Sequence, residues 1–270
     1  MNNPYDIYKL LNKSNCRQCL LPSCMAFAVA IVQGQKKPKD CPHLSQEIIA
    51  TLSGDTEKRK TLESDQEKIL VALKQEVATI DLSETAKRLG SSYVNGKIGI
   101  NCLGKDFWVD QSGEMSSECH TNHWVYLPLL HYVLHSKGKK PQGKWVNFGG
   151  LNGATKAWAQ YFSHRCEEAL QQIADAHQSL LFEILDMFGA KKITGVTDAD
   201  YCLVIEPMPN VLFMINYWAP EDDFNSQLTL LFDKSTPDNL DLDSLYLISR
   251  GLVEMFRELI VKHSKNGKLF

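Results

Sequence analysis

The chain has 270 residues, 44% of them hydrophobic and 23% charged, with a formal net charge of −3 at pH 7. This length allows one substantial domain plus a small module, and this composition excludes disordered and fibrous classes. No apolar run reaches the roughly 18 residues that a membrane-spanning helix needs, and no basic leader precedes an apolar segment at the start. We therefore expect a soluble cytoplasmic protein that binds no membrane and, being mildly acidic, no nucleic acid.

The N-terminal segment holds four of the eight cysteines in the chain. A short helix is predicted from Asn3 to Leu11, and the spacing C-x2-C-x4-C-x16-C follows it at Cys16, Cys19, Cys24 and Cys41. Clustered cysteines in a reducing cytosol indicate metal or redox chemistry rather than disulfides. A 4Fe-4S cluster needs four thiolates that converge from different directions, and a tight loop, a helix start and a returning loop can supply them.

The segment around the third cysteine favours an anionic cluster. Ser23 is predicted to cap a helix from Cys24 to Gln33 that Gly34 ends, which places Cys24 at the positive end of the helix dipole. Up to Cys41 there are six basic and two acidic residues, a net charge of +4 that leaves −7 for the remainder. Such cations offset the charge of a thiolate-bound cluster, which explains them better than a phosphate-binding arm does. The predicted helix also offers an apolar body to shield the cluster: Met25, Phe27, Ala28, Ala30 and Ile31.

Three other interpretations of the four cysteines remain open on spacing alone. A structural zinc site also uses four cysteines, usually as two paired knuckles, and the second pair is missing here. A thioredoxin-like redox pair at Cys16 and Cys19 would be expected to follow a strand. Cysteines buried only for packing are rarely so dense in a short module.

A charged helical stretch is predicted from His43 to about Leu89, because its apolar residues recur at helical spacing. Ser53-Gly54-Asp55 is expected to divide it into two helices. The charged positions read as a solvated face, so this stretch is interpreted as a connector.

Strand patterns begin after Gly90. Ile98, Ile100 and Cys102 alternate with smaller or polar residues, the turn residues 103–106 follow, and Phe107 and Val109 resume the alternation, which predicts a hairpin. Further strands are predicted at Leu203–Glu206, Val211–Trp218 and Leu228–Phe232, with turns at 207–210 and 219–223. Helices are predicted from His123 to His135, from Ala154 to Leu170, on to Phe188 with Gly189 as C-cap, and from Leu242 to Val261 behind the N-cap Asp241.

Strand pairs with short turns and helices grouped between them are typical of an antiparallel α+β domain. The predicted organisation is a small helical iron–sulfur module at residues 1–44, a helical connector at 45–89, and an α+β domain at 90–270. No internal repeat is evident.

Histidines are the first candidate ligands in the second domain. His131 and His135 are spaced i, i+4 and lie on one face of a predicted helix, where they could hold a metal ion or the iron or cobalt of a tetrapyrrole. Packing or hydrogen bonding in place is the favoured explanation of these two histidines. Cys119, His120 and His123 also lie together, in a polar loop and at the helix start.

Other polar and aromatic features carry weaker signals. The acidic turn Glu221-Asp222-Asp223 could bind a cation but is more typical of a solvated loop. Cys102 and Cys202 lie within strands and are interpreted as small buried hydrophobes. The glycines near residue 150 lack the Lys-Ser/Thr and strand context of a phosphate loop, and no nucleophile–base pair stands out. Four tryptophans could line a pocket for a flat ligand, although core packing explains them as well: Trp124, Trp145, Trp158 and Trp218.

The string NCRQCLLPSCMAFAVAIVQGQKKPKDCP, from Asn15 to Pro42, resembles the small iron–sulfur module in the large subunit of the corrinoid iron–sulfur protein of the acetyl-CoA pathway. The preceding residues 5–11 fit the same module. This resemblance implies that Cys16, Cys19, Cys24 and Cys41 are the ligands of a 4Fe-4S cluster. The family commonly has glycine after the second cysteine, where this chain has Leu20, and this departure bears on the local turn more than on the ligation.

The remainder resembles a bacterial and archaeal domain of unknown function that often follows this iron–sulfur module. The resemblance is carried by Trp145-Val146-Asn147-Phe148, by the helix with Tyr161-Phe162, and by the run from Pro207 to Asp233. It implies no activity, and no corrinoid-binding barrel is recognisable.

Together these features predict an anaerobic electron-transfer protein whose α+β domain binds a redox partner protein or a cofactor. The first alternative is a carrier or chaperone for a corrinoid or another tetrapyrrole, or for a corrinoid protein, in which the cluster sets the metal redox state. The second is a redox enzyme that activates a substrate near the cluster, which would require an iron without a thiolate. A redox or binding protein is favoured over a catalyst.

Overall fold

The computed structural model describes residues 4–32, 36–118, 123–221 and 224–266, and side chains are described except at 53–66, 123 and 264–266. The chain divides into two compact units, Met1–Ile69 and Leu70–Phe270. Every strand pair in the described residues is antiparallel, and helices are grouped between the strands. The predicted α+β class is therefore confirmed.

The first unit is helical and has its own small core. Its helices are α1 (Pro4–Leu10), α2 (Cys24–Val32) and the beginning of α3 (Gln46–Val77), which confirms the short N-terminal helix. Met25 is 37% exposed, so its predicted place in the apolar body is wrong. The buried residues of this core are Ile7, Leu11, Cys24, Phe27, Ala28, Ile31, Cys41, Leu44 and Leu52.

Helix α3 is continuous, and the break predicted at Ser53-Gly54-Asp55 is wrong. A single glycine inside a helix costs only about 1 kcal/mol relative to alanine, and no proline reinforces it here. A helix of 32 residues absorbs that cost because helix propagation is cooperative.

The second unit begins with the end of α3, which is followed by a short capped helix, α4 (Leu82–Leu89), and a four-stranded meander. The Asp81 carboxylate accepts hydrogen bonds from the backbone N–H groups of Ser83 and Glu84, and so caps α4. The predicted hairpin is confirmed: Leu103 and Gly104, both at positive φ, form its two-residue turn. The strands, in the order in which they pair, are β1 (Ser92–Val94), β2 (Lys97–Cys102), β3 (Lys105–Asp110) and β4 (Met115–Ser117).

A second, five-stranded sheet has the order β5-β9-β8-β7-β6, with bounds β5 (Trp145–Asn147), β6 (Lys191–Lys192), β7 (Tyr201–Met208), β8 (Val211–Trp218) and β9 (Gln227–Asp233). The three long strands confirm the predicted ones. Strand β7 continues through Met208, so the turn before β8 is Pro209-Asn210, with Asn210 at φ 60°. That turn is two residues shorter than predicted.

For helices α5 (His123–His135) and α8 (Leu242–Asn266) of the second unit, the predicted first residues are confirmed, and the predicted last residue differs in α8. Helix α5 lies where predicted. Helix α8 extends beyond the predicted Val261, and the Asp241 carboxylate accepts from the N–H of Ser244, which confirms the N-cap.

The middle helices differ from prediction, because no break occurs at Leu170. Helix α6 (Lys156–Phe162) passes through a π-helical turn, Ser163–Glu167, directly into α7 (Glu168–Met187). No glycine or proline lies between Lys156 and Met187, so nothing ends the helix there. The irregularity falls instead on the π-turn and on His177, whose φ of −146° kinks α7. Gly189 has φ 78° and donates to Asp186, which confirms the predicted C-cap.

Both sheets and helices α5, α7 and α8 share one hydrophobic core. At its centre Phe232 makes edge contacts with Phe213, at 4.9 Å, and Phe162, at 5.6 Å between ring centroids. Burying each such ring contributes roughly 2–3 kcal/mol. This core contains no residue of the core in the first unit.

A buried carboxylate holds the lysine-rich loop between α5 and β5. Asp233, fully buried, accepts hydrogen bonds from the N–H groups of Gln142 and Gly143 and from the N–H and hydroxyl of Ser235. Burial raises the pKa of this carboxyl, but the bonds from Ser235, Gln142 and Gly143 outweigh burial and lower it overall.

Candidate metal centre

The four cysteines of the spacing motif all lie in the first unit. Cys16 and Cys19 lie in the loop between α1 and α2, Cys24 begins α2, and Cys41 follows the 3-10 turn Pro38–Asp40. Cys16 is exposed and Cys19 is half-buried, whereas Cys24 and Cys41 are each only 8% exposed. Cys24 and Cys41 belong to the small core and Cys19 packs against it. Three of the four thiols therefore line one apolar body.

The loop that carries the first two cysteines has an unusual backbone. Lys13, Asn15, Arg17 and Leu20 have φ between 49° and 64°, in the left-handed region that favours glycine. Residues of alternating handedness form concave nests of N–H groups, which bind anions and occur at Fe–S sites. The four positive φ values store backbone strain in this loop, which is typical of a functional site.

Leu20 occupies the position where the resembling family has glycine. It keeps the left-handed conformation, with φ 64°, and its N–H donates to the Arg17 carbonyl at 2.9 Å. Its side chain is 85% exposed. Leu20 therefore adopts a conformation that glycine would adopt without a steric penalty.

Two side chains cap the start of α2. The Ser23 hydroxyl accepts from the N–H of Ala26 at 3.1 Å, which confirms the predicted cap. The Asn15 side-chain oxygen accepts from the N–H of Cys24 at 2.8 Å, a contact that the sequence reasoning missed. Gln33 and Gly34, the predicted helix end, lie outside the described residues.

The electrostatics around the first cysteine favour a thiolate. Hydrogen bonds from the backbone N–H of Gln18 and from the Ser14 hydroxyl lower the pKa of the Cys16 thiol. The fourth cysteine is positioned by local hydrogen bonds instead: the Asp40 carboxylate accepts from the N–H of Lys37, and the Cys41 N–H donates to the Pro38 carbonyl.

The donor set fits an Fe–S cluster in chemistry. Four thiols, an apolar wall, a capped helix start and a strained loop occur together in one unit. Across the described parts of the chain, no three His, Cys, Asp or Glu side chains are grouped so that they could hold one metal ion. This absence includes the four motif cysteines, so the structure does not bring their thiols together around one point, and their assignment as cluster ligands remains a prediction.

The two candidate histidines of α5 lie side by side. The ring centroids of His131 and His135 are 4.5 Å apart, as their i, i+4 spacing predicts. His131 Nε2 lies 3.3 Å from Asp241 and His135 Nε2 lies 3.5 Å from Glu76. Burial lowers the pKa of His131, an effect that Asp241 opposes. Each imidazole thus faces a carboxylate through its Nε2 atom, whereas the buried Nδ1 of His131 has no hydrogen-bond partner among the described residues.

The other cysteines and the acidic turn are partly described by the structure. Cys102 and Cys202 are buried within strands, as predicted, and burial raises the pKa of Cys102 to about 12. Cys166, which the sequence reasoning did not single out, is buried in the π-turn. Residues 119–122 and 222–223 lie outside the described residues, as does the side chain of His123, so the Cys119–His120 group and most of the acidic turn are not described. In the described part of the chain, no helix is both long and apolar enough to cross a bilayer.

Comparison with known proteins places the N-terminal segment in context. Residues 11–43 match a family described as "Putative Fe-S cluster". The chain is similar to the acetyl-CoA decarbonylase/synthase complex subunit gamma of Methanopyrus kandleri, with 45% identity over 47 residues, 17% of this chain and 10% of that protein. The corresponding subunit of Methanocaldococcus jannaschii is 41% identical over 58 residues, 22% of this chain and 11% of that protein.

This chain therefore spans only about a tenth of the length of these relatives. The matches confirm the resemblance drawn from the string around Cys24. No solved structure gives a significant match.

Fold and site together define an α+β protein that begins with an Fe–S cluster segment. Residues 81–255 match the family described as "Domain of unknown function (DUF3786)", and this match covers more than half of the chain. The chain belongs to that family.

Proposed function

We propose that this protein carries a 4Fe-4S cluster on Cys16, Cys19, Cys24 and Cys41 and transfers electrons to or from a protein partner in anaerobic metabolism. The observation that carries the proposal is the gathering of the motif cysteines in one small unit, with Cys19, Cys24 and Cys41 against the same apolar core. When bound, such a cluster supplies one-electron oxidation and reduction.

The residues around the cysteines have defined tasks under this proposal. Cys24 presents its thiolate from the positive end of α2, where the helix dipole favours negative charge. Asn15 and Ser23 fix that end by accepting hydrogen bonds from N–H groups of the first turn. Phe27 and Ile31 exclude water from one side, because both are at most 5% exposed.

The second unit is proposed to bind the partner or a cofactor. The named relatives are subunits of a complex, which supports a protein partner for this chain as well. Their shared region covers only the cysteine segment and its neighbours, so the role of residues 70–270 is argued from their own structure.

The test is anaerobic purification of the full chain, followed by iron and sulfide analysis and EPR after dithionite reduction. We expect about four iron and four sulfide atoms per chain and an EPR signal of a reduced cluster. Stoichiometric zinc with little iron would overturn the proposal.

A matched pair of variants locates the ligands. Cys24→Ala removes a motif thiol and should abolish the cluster signal. Cys202→Ala removes a buried cysteine of β7 and should leave iron and sulfide unchanged. Equal iron content in both variants would contradict the ligand assignment.

The alternative of a corrinoid or other tetrapyrrole carrier is favoured only by the adjacent rings of His131 and His135. Its test is long-wavelength absorbance after incubation with cobalamin or haem, compared with a His131→Ala/His135→Ala variant. The absence of a spectral change that depends on these histidines would reject it.

A further inference from the structure

A cavity of about 350 Å³ lies in the second unit, beside helix α8. Its walls come from the β2–β3 hairpin, the beginning of α5, the residue after α7, strand β7 and α8. Protein interiors rarely keep voids larger than a water molecule, and pockets that bind small molecules begin near this volume. The size alone marks the cavity as a candidate binding site.

The lining changes from apolar to charged toward the solvent. Buried apolar side chains form the floor, among them Phe107, Ile248 and Leu252. Half-buried Trp124 and Met255 form part of the walls. The exposed lining residues beyond them are all charged: Lys105, Glu258 and Lys262. A ligand that fits this gradient has an apolar body and one charged end.

The charges at the solvent end favour an anion. Glu254, also in the lining, is neutralised by ion pairs with Arg250 and Arg257. Within the described residues, neither Lys105 nor Lys262 lies within 4.0 Å of a carboxylate. Two lysines without a carboxylate partner and the single carboxylate of Glu258 leave an excess of positive charge where the cavity meets water.

The wall that contains Trp124 depends on a glycine in α8. A Cβ atom placed on Gly251 would stand 2.6 Å from the Cβ of Trp124, closer than real contacts allow. Glycine is unfavourable inside a helix, so its presence here is explained by the close approach of α5 to α8. That approach sets the position of the indole at the cavity, and Trp124 thus has a place in a pocket wall as well as in packing.

We propose that this cavity binds a small apolar carboxylate, with its hydrocarbon body against Trp124, Met255 and Leu252 and its carboxylate beside Lys105 and Lys262. The volume has room for on the order of a dozen water-sized groups. A medium-chain or aromatic monocarboxylic acid meets that limit, whereas a corrinoid or haem exceeds it. The inference gives a ligand class to the binding role proposed above for the second unit and rests on it.

The experiment uses octanoate and its neutral counterpart octanol, titrated calorimetrically into the full chain purified anaerobically. We expect one octanoate per chain, bound about tenfold more tightly than octanol because of the charged end. In a Lys105→Ala/Lys262→Ala variant, octanoate should bind no better than octanol. Both lysines are exposed, so this variant is expected to fold normally.

A second pair of variants tests the cavity itself. Met255→Trp fills the cavity and should weaken both ligands about tenfold or more. Val261→Trp places the same ring on an exposed part of α8 outside the lining and should leave both affinities within about twofold. Thermal unfolding of the two variants shows whether each is folded.

Three results would overturn the proposal: no binding of either ligand by the wild-type chain, equal affinities for octanoate and octanol, or equal octanoate affinities in Met255→Trp and Val261→Trp. Iron and sulfide are measured in the same preparations. Cluster present without octanoate binding rejects the cavity ligand alone, and octanoate binding without a cluster rejects the electron-transfer proposal alone.

Discussion

Cysteine is used in two opposite ways in the two units of this protein. In the first unit Cys16 is exposed and hydrogen bonds lower its thiol pKa. In the second unit burial raises the thiol pKa of Cys102 and of Cys166 to about 12. Exposure and hydrogen bonding thus separate Cys16 from the buried cysteines of the second unit, whereas Cys24 and Cys41 are themselves buried.

The two units also differ in where non-glycine residues adopt positive φ. Four non-glycine residues adopt left-handed conformations between Lys13 and Leu20, around the first two cysteines. Among the described residues of the second unit there are three such residues, all in tight turns: Asn95, Leu103 and Asn210. Strain concentrated at one loop is typical of a functional site, where binding offsets its cost.

Thiol labelling tests the contrast most directly. In metal-free protein at pH 8, iodoacetamide should modify Cys16 roughly a thousandfold or more faster than Cys102 and Cys166, because only thiolates react. Peptide mass spectrometry over time gives each rate. Labelling of Cys166 at a rate close to that of Cys16 would break the comparison.

Removal of a central ring should affect only the second unit. Phe232→Ala is expected to cost about 4 kcal/mol in the free energy of unfolding, because it leaves a cavity among buried rings. Chemical denaturation measures that loss. Phe224→Ala is the matched control, since Phe224 is 77% exposed and its loss should change little.

The iron content of the Phe232→Ala variant shows whether the effect is confined to the second unit. The two cores share no residue, so folded Phe232→Ala protein should bind as much iron as wild type. A parallel fall in iron would show that the stability of the first unit depends on the second.

The buried carboxylate of the second unit predicts a pH dependence. Asp233→Asn should lower the free energy of unfolding by about 2 kcal/mol at neutral pH. The reason is that an amide, with one oxygen, cannot accept all the N–H hydrogen bonds that the carboxylate accepts. The folded pKa of Asp233 lies below its unfolded value near 3.9. Its contribution is therefore complete above about pH 4 and is lost as pH falls toward the folded pKa.

Urea denaturation at several pH values measures this dependence. The difference between wild type and Asp233→Asn should shrink below about pH 4. A difference that stays constant across this range would show that Asp233 acts through packing alone.

The smallest expected effect belongs to the strained loop. Leu20→Gly should stabilise the first unit by about 1 kcal/mol, because glycine adopts the left-handed conformation without a steric penalty. The midpoint of cluster loss in denaturant reports it. Gln18→Gly in the same loop is the control, since Gln18 has no positive φ and glycine there should destabilise. Equal shifts in both variants would argue against strain at Leu20.

Local signals in the sequence predicted the elements that depend on local chemistry. The hairpin at Leu103-Gly104, strand β8 and the caps at Ser23 and Asp241 follow from turn and capping residues alone. The short edge strands were missed because two or three residues carry too little periodicity. One of them, β5, is defined by pairing with a distant partner, Trp145 with Asp233.

Features that depend on tertiary contacts were not accessible from the sequence. The bond from Asn15 to the start of α2 joins residues nine apart, and a lone asparagine before a cysteine does not predict it. The cavity beside α8 depends on the approach of Trp124 to Gly251, which the sequence separates by more than a hundred residues. Helix α3 continues through Gly54, which shows that a single glycine does not end a helix whose formation is cooperative.

The π-helical turn at Ser163–Glu167 determines which faces of α6 and α7 can point inward. A π-turn holds one residue more than an α-turn, so it behaves as a one-residue insertion in an otherwise uninterrupted helix. If the same residues were wound as a regular α-helix, without the π-turn, everything after the turn would be rotated by about 100° relative to what precedes it. Leu170, Ile173 and Leu181 would then leave the core together. A stretch of five residues therefore fixes the rotational phase of the following twenty in α7.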